Sequence, residues 1–115
     1  PRVKGVKIKQ LRGESRFEYK IVLTYINKQH KFAEGRLKFE LLGVSNGNKI
    51  VYSHEELAEA GRKNMKFKFK HFHLFEGTFK LPEKITPLQI EVSLSDNRGR
   101  AVGEKNVYDW LTVVN

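Results

Sequence analysis

Along residues 17–26, Phe17, Tyr19, Ile21, Leu23 and Tyr25 alternate with Glu18, Lys20, Val22, Thr24 and Ile26. A period of two puts the first set on one side of an extended chain and the second on the other, the mark of a strand with one buried face. The concentration of β-branched and aromatic residues suits a central strand. The alternation recurs with Val6 and Ile8 between Lys7 and Lys9 in residues 3–11, and with Gly35, Leu37, Phe39 and Leu41 against Arg36, Lys38 and Glu40 in residues 31–42. It returns briefly at 49–52, in 88–95 through Ile90, Val92 and Leu94, and in 101–108 before Trp110 and the apolar tail 111–114.

Polar and glycine-containing stretches separate these runs. Arg12-Gly13-Glu14-Ser15, residues 43–48 and Asp96-Asn97-Arg98-Gly99 read as turns, and 82–87 as a loop stiffened by Pro82 and Pro87. Asn27-Lys28-Gln29-His30 reads as a hairpin connection, which makes the strands on either side of it antiparallel neighbours. The period changes once: Ser53 and Glu56 form a capping box ahead of Leu57 and Ala60, and Gly61 is a stop, so 53–60 predicts a short helix. Seven or eight short strands at roughly ten-residue spacing, joined by tight turns, predict an antiparallel immunoglobulin-like β-sandwich. Its expected core is Tyr19, Ile21, Leu23, Leu37, Phe39, Phe67, Phe69, Phe79, Ile90 and Val92.

Residues 66–81, KFKFKHFHLFEGTFKL, carry the densest pattern. Phe67, Phe69, His71 and His73 fall on one side of a strand, and Lys66, Lys68, Lys70 and Phe72 on the other. Glu76-Gly77 interrupts the run before Phe79 and Leu81, which predicts a strand, a turn or bulge, and a second strand ending at Pro82.

A chain of 115 residues is one domain, long enough to bury roughly two-thirds of its unfolded surface. With no cysteine, disulfides, thiolate metal sites and thiol nucleophiles are excluded. No apolar run approaches the roughly 20 residues of a spanning helix. The sequence begins at Pro1, in strand-like sequence without an initiator Met, and so reads as a domain cut from a longer protein. A formal net charge of +9 favours anionic partners, but the basic residues are spread over every segment, as solvated strand faces and guarded sheet edges require.

Candidate chemistry is sparse. His71 and His73, two apart on a strand, would point the same way like a pair of metal ligands, with Glu76, His54 and His30 as distant thirds; zinc needs three or four convergent ligands, and half-buried strand histidines are the better reading. No serine sits in a nucleophile elbow, no glycine-rich loop cradles a phosphate, and a β-turn accounts for Asp96-Asn97-Arg98-Gly99 without calcium. Catalytic, cofactor-binding and metal residues are therefore assigned to none. Lysines interleave with aromatic residues in 66–80, as on single-strand nucleic-acid sheets, but Phe67 and Phe69 fall opposite the lysines and belong to the core. Phe72 and Leu74 fall on the lysine side, so Lys66, Lys68, Lys70, Phe72 and Leu74 form the candidate surface for a protein partner.

The aromatic strand, Glu76-Gly77-x-Phe79-x-Leu81-Pro82, then Thr86-Pro87 and the alternating Ile90 and Val92, resembles the signature of a family of uncharacterised proteobacterial membrane-anchored proteins; Phe69 and Phe72 take its aromatic positions. Phe17-Glu18-Tyr19 and Gly35-x-Leu37 extend the resemblance over most of the chain. Members of that family are built as a short tail, one transmembrane helix, a coiled coil and a C-terminal β domain. The resemblance implies that residues 1–115 are that last domain, on the periplasmic side of the bacterial inner membrane, touching membrane only through an upstream anchor. It carries over no catalytic residue. The expected function is a non-enzymatic protein-interaction or structural module of the cell envelope, with a protein partner or self-association, no cofactor and no small-molecule substrate. The alternative is a polyanion binder, of nucleic acid or acidic cell-wall glycan, using basic strand faces.

Overall fold

The computed structural model describes residues 1–13, 15–58 and 65–115. Among them eight strands form, β1 Arg2–Gln10, β2 Arg16–Thr24, β3 Ala33–Ser45, β4 Asn48–Ser53, β5 Lys66–Phe69, β6 Phe72–Lys80, β7 Thr86–Ser95 and β8 Asn106–Asp109, with single helical turns α1 His54–Leu57 and α2 Trp110–Val113. All pairings between strands are antiparallel, and they sort into two sheets. Sheet A has the order β1-β2-β6; sheet B has the order β4-β3-β7-β8, with β5 also on β3. The apolar faces produced by period-two alternation meet between the sheets in the immunoglobulin-like arrangement. Every residue of the expected core is buried.

Aromatic rings lock the two layers together. Tyr19 of sheet A meets Phe39 of sheet B edge-on with ring centroids 4.8 Å apart, and Phe79 stacks on Phe17 at 5.4 Å while approaching Tyr19 and Phe39, each at 6.4 Å. These separations are those of favourable ring pairs. Trp110, brought in by α2, stands edge-on to Phe17 at 5.1 Å and closes one end of the core.

Four expectations need correction. The 27–30 segment is not a hairpin: β2 pairs with β1 and β6 in one sheet and β3 with β4, β5 and β7 in the other, so the chain crosses from one sheet to the other there. Asn27 fixes the crossing, its carboxamide oxygen accepting from the Lys31 N–H (3.0 Å) and its Nδ2 donating to the Lys31 and Lys70 carbonyls. Secondly, the chain does not break at Glu76-Gly77 but at Lys70 and His71, where it passes back from sheet B to sheet A; β6 then runs unbroken to Lys80. Gly77 serves packing instead, since a Cβ there would lie 2.7 Å from the Tyr19 hydroxyl oxygen.

Thirdly, the helix is one turn, 54–57. Its capping box is present, Ser53 Oγ accepting from the Glu56 N–H (3.3 Å) and the Glu56 carboxylate from the Ser53 N–H (3.0 Å), but Ala58 is already extended. Ala60 and Gly61, like Glu14 of the first turn, lie outside the described residues. Fourthly, the last strand is shorter than 101–108. Ala101 makes one bridge to Ser95, β8 starts at Asn106, and the apolar tail winds into α2. Beyond it Val114 bridges Ile8 in parallel, and Asn115 exchanges backbone hydrogen bonds with Ile8 (2.8 Å) and Gln10 (3.2 Å), so the tail covers the outer edge of β1 at that end.

Strand ends shift as well. β3 runs on through Gly43 to a turn at Asn46-Gly47, both with positive φ (52° and 78°), as a two-residue hairpin requires. Pro87 lies inside β7, opposite Gly43 where the register slips, a place where its missing N–H is tolerated.

Two glycines give opposite expectations. A Cβ at Gly35 would sit 1.9 Å from the Ser95 carbonyl oxygen, whereas one at Gly5 would meet nothing within 4 Å. Gly35→Ala should lower the unfolding free energy by about 3 kcal/mol or more, and Gly5→Ala should leave it within about 0.5 kcal/mol; urea denaturation of both variants checks this. By the same measurement, Phe79→Ala should cost about 3–5 kcal/mol, because four aromatic neighbours lose a shared contact.

Candidate interaction surface

The outer face of sheet A is read directly from its register. Val22 lies between Gly5 and Leu74, Thr24 is opposite Phe72, and Lys20 lies between Lys7 and Glu76. Because Phe75 and Phe79 fill the inward positions of β6, Phe72 and Leu74 must point out, and they are 73% and 47% exposed. Beyond the end of β2, Ile26 is 77% exposed. With no side chain at Gly5, the face is hollowed into a groove of about 510 Å³ between Lys4, Lys7, Lys20, Val22 and Leu74. An irregularity at Lys4, where the β1–β2 register slips, borders it. Apolar groups thus lie along a floor with Arg2, Lys4, Lys7 and Lys20 around it.

Charge differs between the two outer faces. On sheet B three lysines are paired, Lys105 with Glu91 (3.3 Å), Lys38 with Glu40 (3.7 Å) and Lys68 with Glu34 (3.8 Å). Among the described residues, no ion pair reaches Arg2, Lys4, Lys7 or Lys20. Sheet B also has a hollow, about 440 Å³ between Leu42, Val51 and Leu88, but Lys49 and Asp109 both line it and give it no single sign of charge.

The surface expected from the sequence is divided. Lys66 and Lys68 belong to β5 on sheet B, Lys70 sits at the bend, and Phe72 and Leu74 belong to β6 on sheet A. The crossing at Lys70 and His71 preserves the alternation while moving the residues after it to a different sheet. Lys68 of β5 and Lys70 at the bend face Phe32 instead, an exposed ring with their ammonium groups each 4.9 Å from its centroid. Neither Phe32 nor the set Gly5, Val22 and Lys20 stood out in the sequence, since only register across three strands brings the latter together.

The histidines are dispersed too. His71 is exposed at the bend, its carbonyl accepting from the Tyr25 N–H (2.9 Å). His73 is half-buried, its ring 4.5 Å from Phe75 and 5.9 Å from Phe69. His54 is buried in α1 with Nδ1 accepting from the Phe39 N–H (3.4 Å). Among the described residues no group of three or more His, Cys, Asp and Glu is placed to hold a metal. Asp96 organises the last turn, accepting from the Arg100 and Arg98 N–H groups (2.9 Å each), bonds that hold its carboxyl below the usual range.

Residues 2–92 match a family of unknown function, DUF6776. The chain belongs to that family. The DUF6776 match takes in all of sheet A, and with it the whole groove, and stops within β7, so β8, α2 and the tail lie beyond it. Neither a curated protein nor a solved structure matches the chain.

Burial lowers the pKa of His73 from its ordinary 6.5. The folded protein therefore takes up this proton less readily than the unfolded chain, and the stability linked to it is whole above about pH 6.5 and declines as pH falls below that value. Urea midpoints at pH 7.5 and 5.5 should differ more for the natural protein than for His73→Phe.

Proposed function

We propose that this DUF6776 domain is a non-enzymatic interaction module that holds another protein against the outer face of sheet A. The observation that carries the reading is exposed Phe72 and Leu74 beside half-buried Val22 around the groove at Gly5. Large apolar groups gathered beside unpaired cations on a strongly basic chain are a disposition that favours a partner. The wider setting, the C-terminal β domain of a membrane-anchored coiled-coil protein on the periplasmic side of a bacterial inner membrane, rests on the resemblance of its 69–92 pattern. The test is a photo-crosslinking residue placed in the full-length protein in cells, at position 74 on sheet A or at position 93 on sheet B. A discrete protein adduct from position 74 alone supports the module. The same adducts from both positions, or none from 74, would discard it.

The cations of sheet A also favour a second reading, a polyanion binder. Specific single-strand binding needs rings free to stack bases. Phe67 and Phe69 are buried, Phe32 already has two ammonium groups over it, and Phe72 on sheet A is one ring where stacking of successive bases needs several. A labelled oligonucleotide near physiological salt should therefore bind only in the range of non-specific contacts, about 10⁻⁴ to 10⁻⁶ M. Submicromolar binding at that salt, lost in Phe72→Ala, would replace the module with the polyanion binder.

A further inference from the structure

Resting on the interaction-module reading, we infer that the occupant of sheet A is an acidic amphipathic helix of a partner protein. Three observations converge on it. The face is three strands wide, and strands about 4.8 Å apart give a face of roughly 10–15 Å, the width of one helix with its side chains. Layered folds cover open sheet faces in this way.

The apolar positions set the length. From Val22 and Leu74, through Phe72, to Ile26 the strip extends over about four residues of strand, or roughly 13 Å. That is between two and three helical turns, enough for anchors at i, i+3, i+4 and i+7. The groove at Gly5 gives one anchor a hollow to enter, walled by Val22 and Leu74.

The cations set the sign and the orientation. Arg2, Lys4 and Lys7 all lie on β1, and Lys20 lies across the end of the strip, without ion pairs among the described residues. A helix with Asp or Glu along the flank facing β1 would meet those three, and its end would meet Lys20, which has Glu76 on its other side. A second copy of this chain fits badly, because two such faces would oppose like charges on molecules that each have a net charge of +9. Addition of a strand at β1 is obstructed where Val114 and Asn115 already occupy the edge beside Ile8. A bilayer surface would use Phe72 and Ile26 but leave the hollow at Gly5 unfilled.

The experiment titrates the ¹⁵N-labelled full chain with a synthetic helix-forming peptide of about 16 residues with leucines at i, i+3, i+4 and i+7 and glutamates on one flank. A twin peptide has lysines in place of the glutamates, and phosphatidylglycerol vesicles are the third probe. The glutamate peptide should bind at least about tenfold more tightly than its twin, as two or three rim ion pairs allow, with amide shifts centred on Gly5, Val22 and Leu74. Lys7→Glu combined with Lys20→Glu should abolish or invert that preference. Gly5→Leu, which has open space and should keep its melting temperature, should block binding by filling the groove. Equal binding of the two peptides, full binding to Gly5→Leu, or binding to vesicles but not to the glutamate peptide would each overturn the inference; the last would put a lipid surface in the helix's place. A discrete crosslink from position 74 together with any of these would leave the module standing without the acidic helix, whereas failure of the crosslink removes the module itself.

Discussion

The structure depends on how closely the two sheets approach at Tyr19. Its ring meets Phe39 across the sandwich, and its hydroxyl occupies the space that any side chain at Gly77 would claim. The hydroxyl is also directed at the Met65 sulfur, 4.0 Å away, just before β5. One residue of β2 therefore sets the distance to β3, the passage of β6 beside it and the entry of β5. Phe79 and Phe17 extend the same interlock to Trp110. Close-packed rings of this kind tolerate little displacement, so the inner faces fix which way every outer residue points.

The period-two pattern made the inner faces legible in the sequence. Phe67, Phe69 and Phe79 lie inward as their parity requires, even though the chain changes sheets between the second and the third. Parity says whether a residue faces in or out; it does not say of which sheet. That is why Lys68 and Phe72, on the same side by alternation, end on different sheets. It is also why Asn27-Lys28-Gln29-His30 resembled a hairpin: a polar connection of that length joins neighbours or crosses a sandwich equally well. The distinction lies in long-range bonds that no local signal announces, the Asn27 carboxamide to the Lys70 carbonyl and the Tyr25 N–H to the His71 carbonyl. The two crossings are tied to each other, so the step out of sheet A and the return to it occur at one end of the molecule.

The groove at Gly5 was illegible for a related reason. A glycine in a short strand signals a close approach or a bulge, and Lys4 beside it is indeed where the register slips. Its use as a hollow appears only once Val22 and Leu74 are in the same row. The capping box, by contrast, was legible because its partners are three residues apart, and it placed α1 correctly while giving no measure of its length.

The lysines of β1 serve two purposes that need not conflict. Alternating cations on an edge strand discourage pairing with another chain, and here the C-terminal residues cover one end of that edge while the irregularity at Lys4 distorts the other. The same cations stand around an apolar floor, where they would oppose a basic partner and accept an acidic one. Sheet B pairs Lys68, Lys38 and Lys105 with Glu34, Glu40 and Glu91, and its hollow is lined by charges of both signs, so it lacks that selectivity. Discrimination through repulsion as well as attraction is how an interface becomes specific, and the cations beside the groove on sheet A are placed to exert it. The net charge is spread through the sequence, but the folded chain pairs three lysines on one face and leaves Arg2, Lys4, Lys7 and Lys20 beside the groove on the other.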